Sequence, residues 1–331
     1  MTPVPAAETA GNFGGLVSPR FDLLRHSHDG TRRARVIMAE QDWLAERFDE
    51  HRAHLRSVAY RMLGSLHEAE DAVQESWLRL SRSDTGDVAN LGGWLTTVTG
   101  RICLDMLRAR GSRRERPLDV HVPDPIVSPA DGVDPEQEAL LAESVGLALY
   151  VVLETLTPAE RLAFVLHDMF AVPFNDIAAM LGRSPDATKQ LASRARARIR
   201  AGGPSPDADL ARQQEAVQAF YDAARHGDFD ALVALLDPQA AMHSDGGAAH
   251  PKITGVTRGA AAIAGRALMF ANPDATVHPV LVNGAAGAVV TVDGRPVSVM
   301  GFTVTGGVIV AIDVLADVDR LGRLDLSWLA S

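Results

Sequence analysis

The sequence predicts a multidomain chain in which two all-α helical domains are followed by an α+β domain. Three observations predict it. Helical apolar periodicity runs from Trp43 to Arg116 and returns from Leu156 to Arg200. A proline-rich acidic stretch separates these two segments, and four β-rich runs divided by Asn-Gly, Asp-Gly and Gly-Gly close the chain. At 331 residues, two or three domains are expected. A hydrophobic content of 47% against 22% charged residues is enough to bury ordinary globular cores. Cys103 is the single cysteine, which excludes an internal disulfide or a cysteine-based metal site. No apolar run approaches the ~20 residues of a transmembrane helix, and no secretory signal pattern opens the chain. A cytoplasmic protein with no membrane partner, no metal and no cofactor is the expectation. The net charge of -10 argues against nucleic-acid affinity if it is read globally. The charge is uneven, however: Arg101–Arg116 and Lys189–Arg200 are basic, while Pro117–Glu143 and the last third are acidic.

Taken in order, residues 1–37 are rich in Ala, Gly, Pro and Thr and read as a poorly ordered tail or an over-long start, with Met38 as the alternative beginning. Residues 38–116 form the first helical domain. Leu55, Val58, Ala59, Met62 and Leu63 make one apolar stripe, Gly64-Ser65 breaks the helix, and Ala69, Val73, Trp77 and Leu80 make the next stripe. A third helix opens at Gly92-Gly93-Trp94, with Leu95, Val98, Ile102 and Met106 inward and Thr96, Thr99, Arg101, Asp105 and Arg108 outward. Residues 117–145, with Pro117, Pro123, Pro125, Pro129 and Pro135 and no Lys or Arg through Glu138, read as a linker without regular structure.

Residues 146–203 form the second helical domain. Thr157, Pro158 and Glu160 make a capping box with proline at the first helical position. A second helix starts near Pro173-Phe174 and ends at Gly182, and Ser184-Pro185 starts a third. On that third helix Ala187, Leu191, Ala195 and Ile199 form a narrow apolar stripe, while the other face is basic and polar. This is the helix-turn-helix pattern. A helix fits the DNA major groove, so Lys189, Gln190, Ser193 and Arg194 are placed toward base edges and Arg196, Arg198 and Arg200 toward phosphate or the solvated side.

These segments carry a resemblance. AYRMLGSLHEAEDAVQESWLRL and GGWLTTVTGRICLDMLRARGSRRE resemble region 2 of bacterial extracytoplasmic-function sigma factors, within Phe48–Arg116. Leu156–Arg200 is similar to region 4 of the same class, in LTPAERLAFVLHDMF and SRARARIR. The resemblance implies an alternative sigma factor that binds core RNA polymerase, including its β′ and β subunits, and promoter DNA. It places Glu70, Asp71, Gln74, Glu75 and Trp77 on a face that docks on a β′ coiled coil. It places Arg101, Asp105, Arg108 and Arg110 against the opened −10 element, where a base is flipped and the strand held. The Ser184–Arg200 helix would read the −35 element.

His121, Pro123, Asp124 and Pro125 are similar to a Trp-Leu-Pro-Glu-Pro linker motif of the subgroup that carries an extra C-terminal domain. Asp245, Gly246 and Gly247 resemble its Asp-Gly-Gly-Gly-Lys loop, with Ala248 departing from it. Ala316-Asp317-Val318-Asp319-Arg320-Leu321 is loosely similar to its Asn-Pro-Asp-Lys-Leu motif.

Residues 204–331 form the last domain: a helical pair over 209–237, a strand near Ala240–His243, a loop, a helix near Gly259–Phe270 and four strands of a curved antiparallel sheet. FYDAARHGDFDALVALLDP resembles the start of the SnoaL-like or nuclear-transport-factor-2-like cone. That domain is expected to regulate in cis by contacting the linker or region 2. Two other readings stand beside this one. A ligand-sensing helix-turn-helix regulator would not need the Phe48–Arg116 pattern. An isomerase or cyclase fused to DNA-binding domains would place acid–base groups in the cone, where His243, Asp245, His278 and Asp313 are available, but these form no spacing-specific constellation.

Overall fold

A computed structural model describes residues 30–83, 90–113, 120–130, 146–202 and 207–330. Helix α1 (Gly30–Leu63) begins inside the stretch expected as a tail; residues 1–29 lie outside the described residues. Gly64, with φ +68°, ends it, and the Ser65 hydroxyl accepts from the Glu68 N–H to start α2 (Leu66–Arg82). Asn90 opens α3 (Leu91–Arg113) by accepting from the Gly93 N–H. Thr96 and Thr99, expected outward, are buried: Thr99 bonds Ser76 at 2.8 Å and Thr96 bonds the Gly92 carbonyl. Periodicity had shown one face of α3, but this helix is enclosed by α1 and α2 on one side and by the second helical domain on another.

The second helical domain comprises α4 (Gly146–Glu154), α5 (Pro158–Phe164), a π-helical turn (Val165–Met169), α6 (Phe174–Leu181) and α7 (Pro185–Gly202). Both halves of the Thr157–Glu160 capping box are formed, and Gly182 turns the chain in the left-handed region at φ +63°.

The last domain contains α8 (Leu210–His226), α9 (Phe229–Leu235), β2 (Leu236–Asp245), β3 (Gly255–Arg258), α10 (Ala260–Met269), β4 (Ala275–Val282), β5 (Ala285–Val292), β6 (Arg295–Thr305), β7 (Val308–Leu315) and the short α11 (Val318–Leu321). The Asn283-Gly284, Asp293-Gly294 and Gly306-Gly307 turns all sit at positive φ, as two-residue hairpins require. Strand β3 forms within the segment expected as a loop. The sheet is mixed rather than wholly antiparallel, since β2 pairs parallel with β7.

The linker departs most from expectation. Val127–Pro129 form strand β1, which adds antiparallel to β4 with Val127 opposite Val282, so the strand order is β1-β4-β5-β6-β7-β2-β3. Proline density forbids an isolated element there. An edge strand needs partners on one side only, however, and β4 supplies them, with Pro129 at the strand end. Residues 114–119 and 131–145 lie outside the described residues.

One apolar core runs through all three domains. It joins Tyr60, Met62 and Leu104 of the first, Val122 and Ile126 of the linker, Leu153, Leu162 and Leu166 of the second, and Val282, Val299 and Leu315 of the sheet. At the contact between α3 and the second helical domain a Cβ on Gly100 would stand 3.0 Å from Leu166 Cδ1. His54 meets the Phe170 ring edge-on at 5.2 Å, and Arg161 donates to the Met62 carbonyl at 3.0 Å. A second core, with Phe220, Phe302 and Ile312, fills part of the cone between its helices and the concave face of the sheet.

Candidate nucleic-acid interface and interdomain latch

On α7, Lys189, Gln190, Ser193 and Arg194 are exposed, while Leu191, Ala192 and Ala195 are buried. The arginines are partly engaged within the domain. Arg198 donates to Glu160 at 2.7 Å, Arg194 lies 3.6 Å from the same carboxylate, and Arg196 donates to Asp168 at 2.7 Å. Burial alone would raise the Glu160 carboxyl, but bonds from the Thr157 hydroxyl and backbone and the Arg198 charge outweigh it and hold the group below its usual range. Arg196, expected at phosphate, is therefore also a tie from α7 to the π-helical turn. Lys189, Gln190 and Ser193 remain the side chains least committed to the domain's own fold; Lys189 has only Asp186, at 3.3 Å on the helix surface.

On α3, Arg101, Asp105 and Arg108 are exposed at helical spacing along one face, with Arg108 3.7 Å from Asp105. Arg110, expected at DNA, is placed differently: it donates twice to the Leu63 carbonyl at 3.3 Å and pairs with Glu68, which fastens the end of α3 to the α1–α2 turn. On α2, Asp71 and Gln74 are exposed and Leu78 retains 43% exposure, forming an outward row. Glu70 pairs with Arg52, Glu75 with Arg79 at 3.0 Å, and Trp77 packs on Phe48 with ring centroids 5.3 Å apart.

The three motifs singled out in the linker and the last domain converge on Arg320, 196 positions from Asp124. Its Nε donates to Asp124 Oδ1 at 2.7 Å, Nη1 to Asp245 Oδ2 at 2.8 Å and Nη2 to the Val122 carbonyl at 2.6 Å. Asp245 Oδ2 also accepts from the Val122 N–H at 3.1 Å and stands 3.4 Å from His121 Nδ1. Burial would raise the Asp245 carboxyl; the bond from His121, the Gly247 N–H and the Arg320 charge reverse that and hold it low.

Both glycines of this loop are forced by their surroundings. A Cβ on Gly246 would lie 2.4 Å from Ile253, and one on Gly247 would lie 2.1 Å from Asp317 Oδ2 at a φ of +59°. Asp317 itself caps α11 through the Asp319 and Arg320 N–H groups, which orients Arg320.

Asp124 reaches the first domain as well. Its Oδ2 accepts from the Leu66 N–H at 3.2 Å, and its carbonyl accepts from the Tyr60 hydroxyl at 2.6 Å. Asn283 donates to that same hydroxyl at 3.0 Å and exchanges bonds with Ile126. The helix carrying Tyr60, the linker and the sheet are thus tied through one polar network. A Cβ on Gly64 would stand 3.3 Å from Pro123 Cβ, and Pro125 lies buried in the same segment.

Arg320, Tyr60 and Asn283 were not among the site residues expected from sequence. A usable signal existed for the last. Val280–Val282 and Ala285–Val289 run apolar without alternation, the pattern of strands covered on both faces. The four polar groups considered for catalysis lie outside the cone. His243 pairs with Asp313 at 2.8 Å and His278 with Thr291 at 3.0 Å, on the face opposite the alternate residues Met242, Val277 and Val314 that line the cavity. Among the described residues no helix is long and apolar enough to cross a membrane.

Comparison with known proteins agrees with this architecture. Residues 47–113 match Sigma-70 region 2, residues 146–199 match Sigma-70 region 4, and residues 217–316 match the SnoaL-like domain. The chain is 40% identical over 211 residues to the probable ECF RNA polymerase sigma factor SigI of Mycobacterium tuberculosis, covering 63% of this chain and 72% of that protein. It is 42% identical over 218 residues to the ECF RNA polymerase sigma factor SigJ of the same organism, covering 64% and 68%. The crystal structure of SigJ superposes with a TM-score of 0.69 at 35% identity, covering 85% of this chain and 99% of that one. These relatives are sigma factors rather than enzymes. With regions 2 and 4 in order and a SnoaL-like domain behind them, the chain belongs to the extracytoplasmic-function RNA polymerase sigma factors.

Proposed function

We propose that this sigma factor directs polymerase to promoters through three exposed faces and is held in check by its own last domain. The Asp71–Gln74–Leu78 row of α2, flanked by Glu70 and Glu75, docks on the β′ subunit. Arg101, Asp105 and Arg108 hold the opened −10 strand. Lys189, Gln190, Ser193 and Arg194 read the −35 element, with Arg196 and Arg198 divided between phosphate and the acids of their own domain. The single observation that carries the regulatory part is the Arg320 guanidinium bridging Asp124 of the linker and Asp245 of the SnoaL-like domain. The two DNA-reading regions sit against each other across Gly100 and Leu166, so spanning two promoter elements requires them to separate. A latch that fastens the linker to the sheet sets the cost of that separation.

The test is run-off transcription with core polymerase and genomic promoter fragments. Discrete start sites that disappear with Asp71→Ala and Gln74→Ala support the docking face, and a changed output with Arg320→Ala supports the latch. Start sites unaffected by the α2 substitutions would remove the docking assignment. An output unchanged by Arg320→Ala would remove the latch.

A further inference from the structure

The cone encloses a cavity of about 890 Å³ that none of the promoter-directing roles uses. Small-molecule pockets span roughly 300–1,000 Å³, so this one is large enough for a whole ligand. Its wall is mostly apolar, with Phe220, Met242, Val290, Met300 and Val314 pointing in from one helix and four strands. Beside the neutral Tyr221, Ser244, Asn272 and Ser298, its ionisable side chains other than Tyr221 are all basic. Arg225, His226 and Arg266 line it, and no acidic residue does among the described residues.

Arg266 spends one N–H on the Ile253 carbonyl at 2.6 Å and lies 5.4 Å over the Phe270 ring, which leaves further donors of its fork for a guest. The Tyr221 hydroxyl donates to Met300 Sδ at 3.0 Å, a weak acceptor, and burial pushes the phenol up, so it stays a neutral donor. The mouth is marked by exposed Arg225, His226 and Phe270. An apolar interior with a cationic rim and no carboxylate suits an amphiphile whose polar end is an acid.

We propose that the cone of this sigma factor is a binding site for an apolar organic acid. The hydrocarbon skeleton lies against Phe220, Val290 and Met300, and the carboxylate is held by Arg266 with Arg225 at the mouth. A neutral alcohol of equal length loses the charge-assisted bond and binds more weakly.

The experiment is calorimetric titration of the full chain with dodecanoate and, separately, dodecanol. Dodecanoate is expected to bind saturably at one site, at least tenfold more tightly than dodecanol, and Arg266→Gln is expected to reduce that preference to less than threefold. Val290→Trp fills the interior and Val297→Trp fills the half-exposed rim; each should weaken dodecanoate binding at least tenfold. The rim variant serves if the interior one does not fold. No saturable binding, equal affinity for the alcohol, or unchanged binding in a folded filling variant would overturn the proposal.

Discussion

Replacing Arg320 by Ala removes the side chain that bridges Asp124 and Asp245. The two carboxylates keep only 15% and 8% exposure, so they regain little water when the guanidinium leaves. Breaking a buried ion pair from one side costs about 3–5 kcal/mol, because the remaining charge is left uncompensated. Each acid retains some support: Leu66 N–H for Asp124, and Val122 N–H, Gly247 N–H and His121 for Asp245. That argues for the lower end, about 3 kcal/mol. Hydrogen exchange reads the loss locally. The amides of Val122, Asp124 and Asn283, which bond Asp245, the Gly64 carbonyl and the Ile126 carbonyl, should exchange about 100-fold faster. Amides inside α8 and β6, which belong to the cone core, should change little. Arg320→Lys should recover only part of the protection, since an ammonium cannot fork onto two carboxylates. If Arg320→Ala leaves these three amides protected and urea stability within about 1 kcal/mol of the parent, the latch does not hold the linker.

Acid should open the same network. A carboxyl held below its unfolded value stabilises the fold at pH above about 3.9 and loses that contribution as pH falls through the depressed folded value. Protection of the Val122 amide should therefore be flat from about pH 7 to 5 and fall only under strong acid. Asp245→Asn should abolish that acid step. Gly247→Ala forces a Cβ into Asp317 at a left-handed φ; a thermal melt should fall by several degrees, corresponding to about 1–3 kcal/mol. Lys189→Ala, at a residue with 58% side-chain exposure, should leave the melt unchanged, weaken promoter binding by about 1–3 kcal/mol and relax the base preference at one position of the −35 element. A base preference equal to that of the parent would take Lys189 off the base edges.

Much of this protein was legible locally. Caps and turns are decided within four residues, so Thr157–Glu160, Gly182, Ser184 and the three hairpin turns could be read from the chain and stand in the structure as expected. The order of two sigma regions and a SnoaL-like domain was equally legible, because the motifs that carry it are contiguous words.

What could not be read is whatever depends on a partner far along the chain. Periodicity says which face of α3 is apolar, not that Ser76 of α2 and His54 of α1 will also engage Thr99 and Thr96. Proline content says that Val127–Pro129 cannot be a strand alone, not that β4 presents an open edge. Arg320 carries only a loose motif similarity until folding brings one acid of the linker and one of the last domain within 3 Å of it, and the bonds of Arg110 to Leu63 and Glu68 are not announced by its place in a basic run. Spacing joined His243 and Asp313 into no constellation; the parallel pairing of β2 with β7 sets them opposite each other, on the face away from the cavity. Local sequence sets conformational preference over a few residues. The charge pairs and the shared core arise from tertiary proximity, and their energies depend on burial that no short window contains.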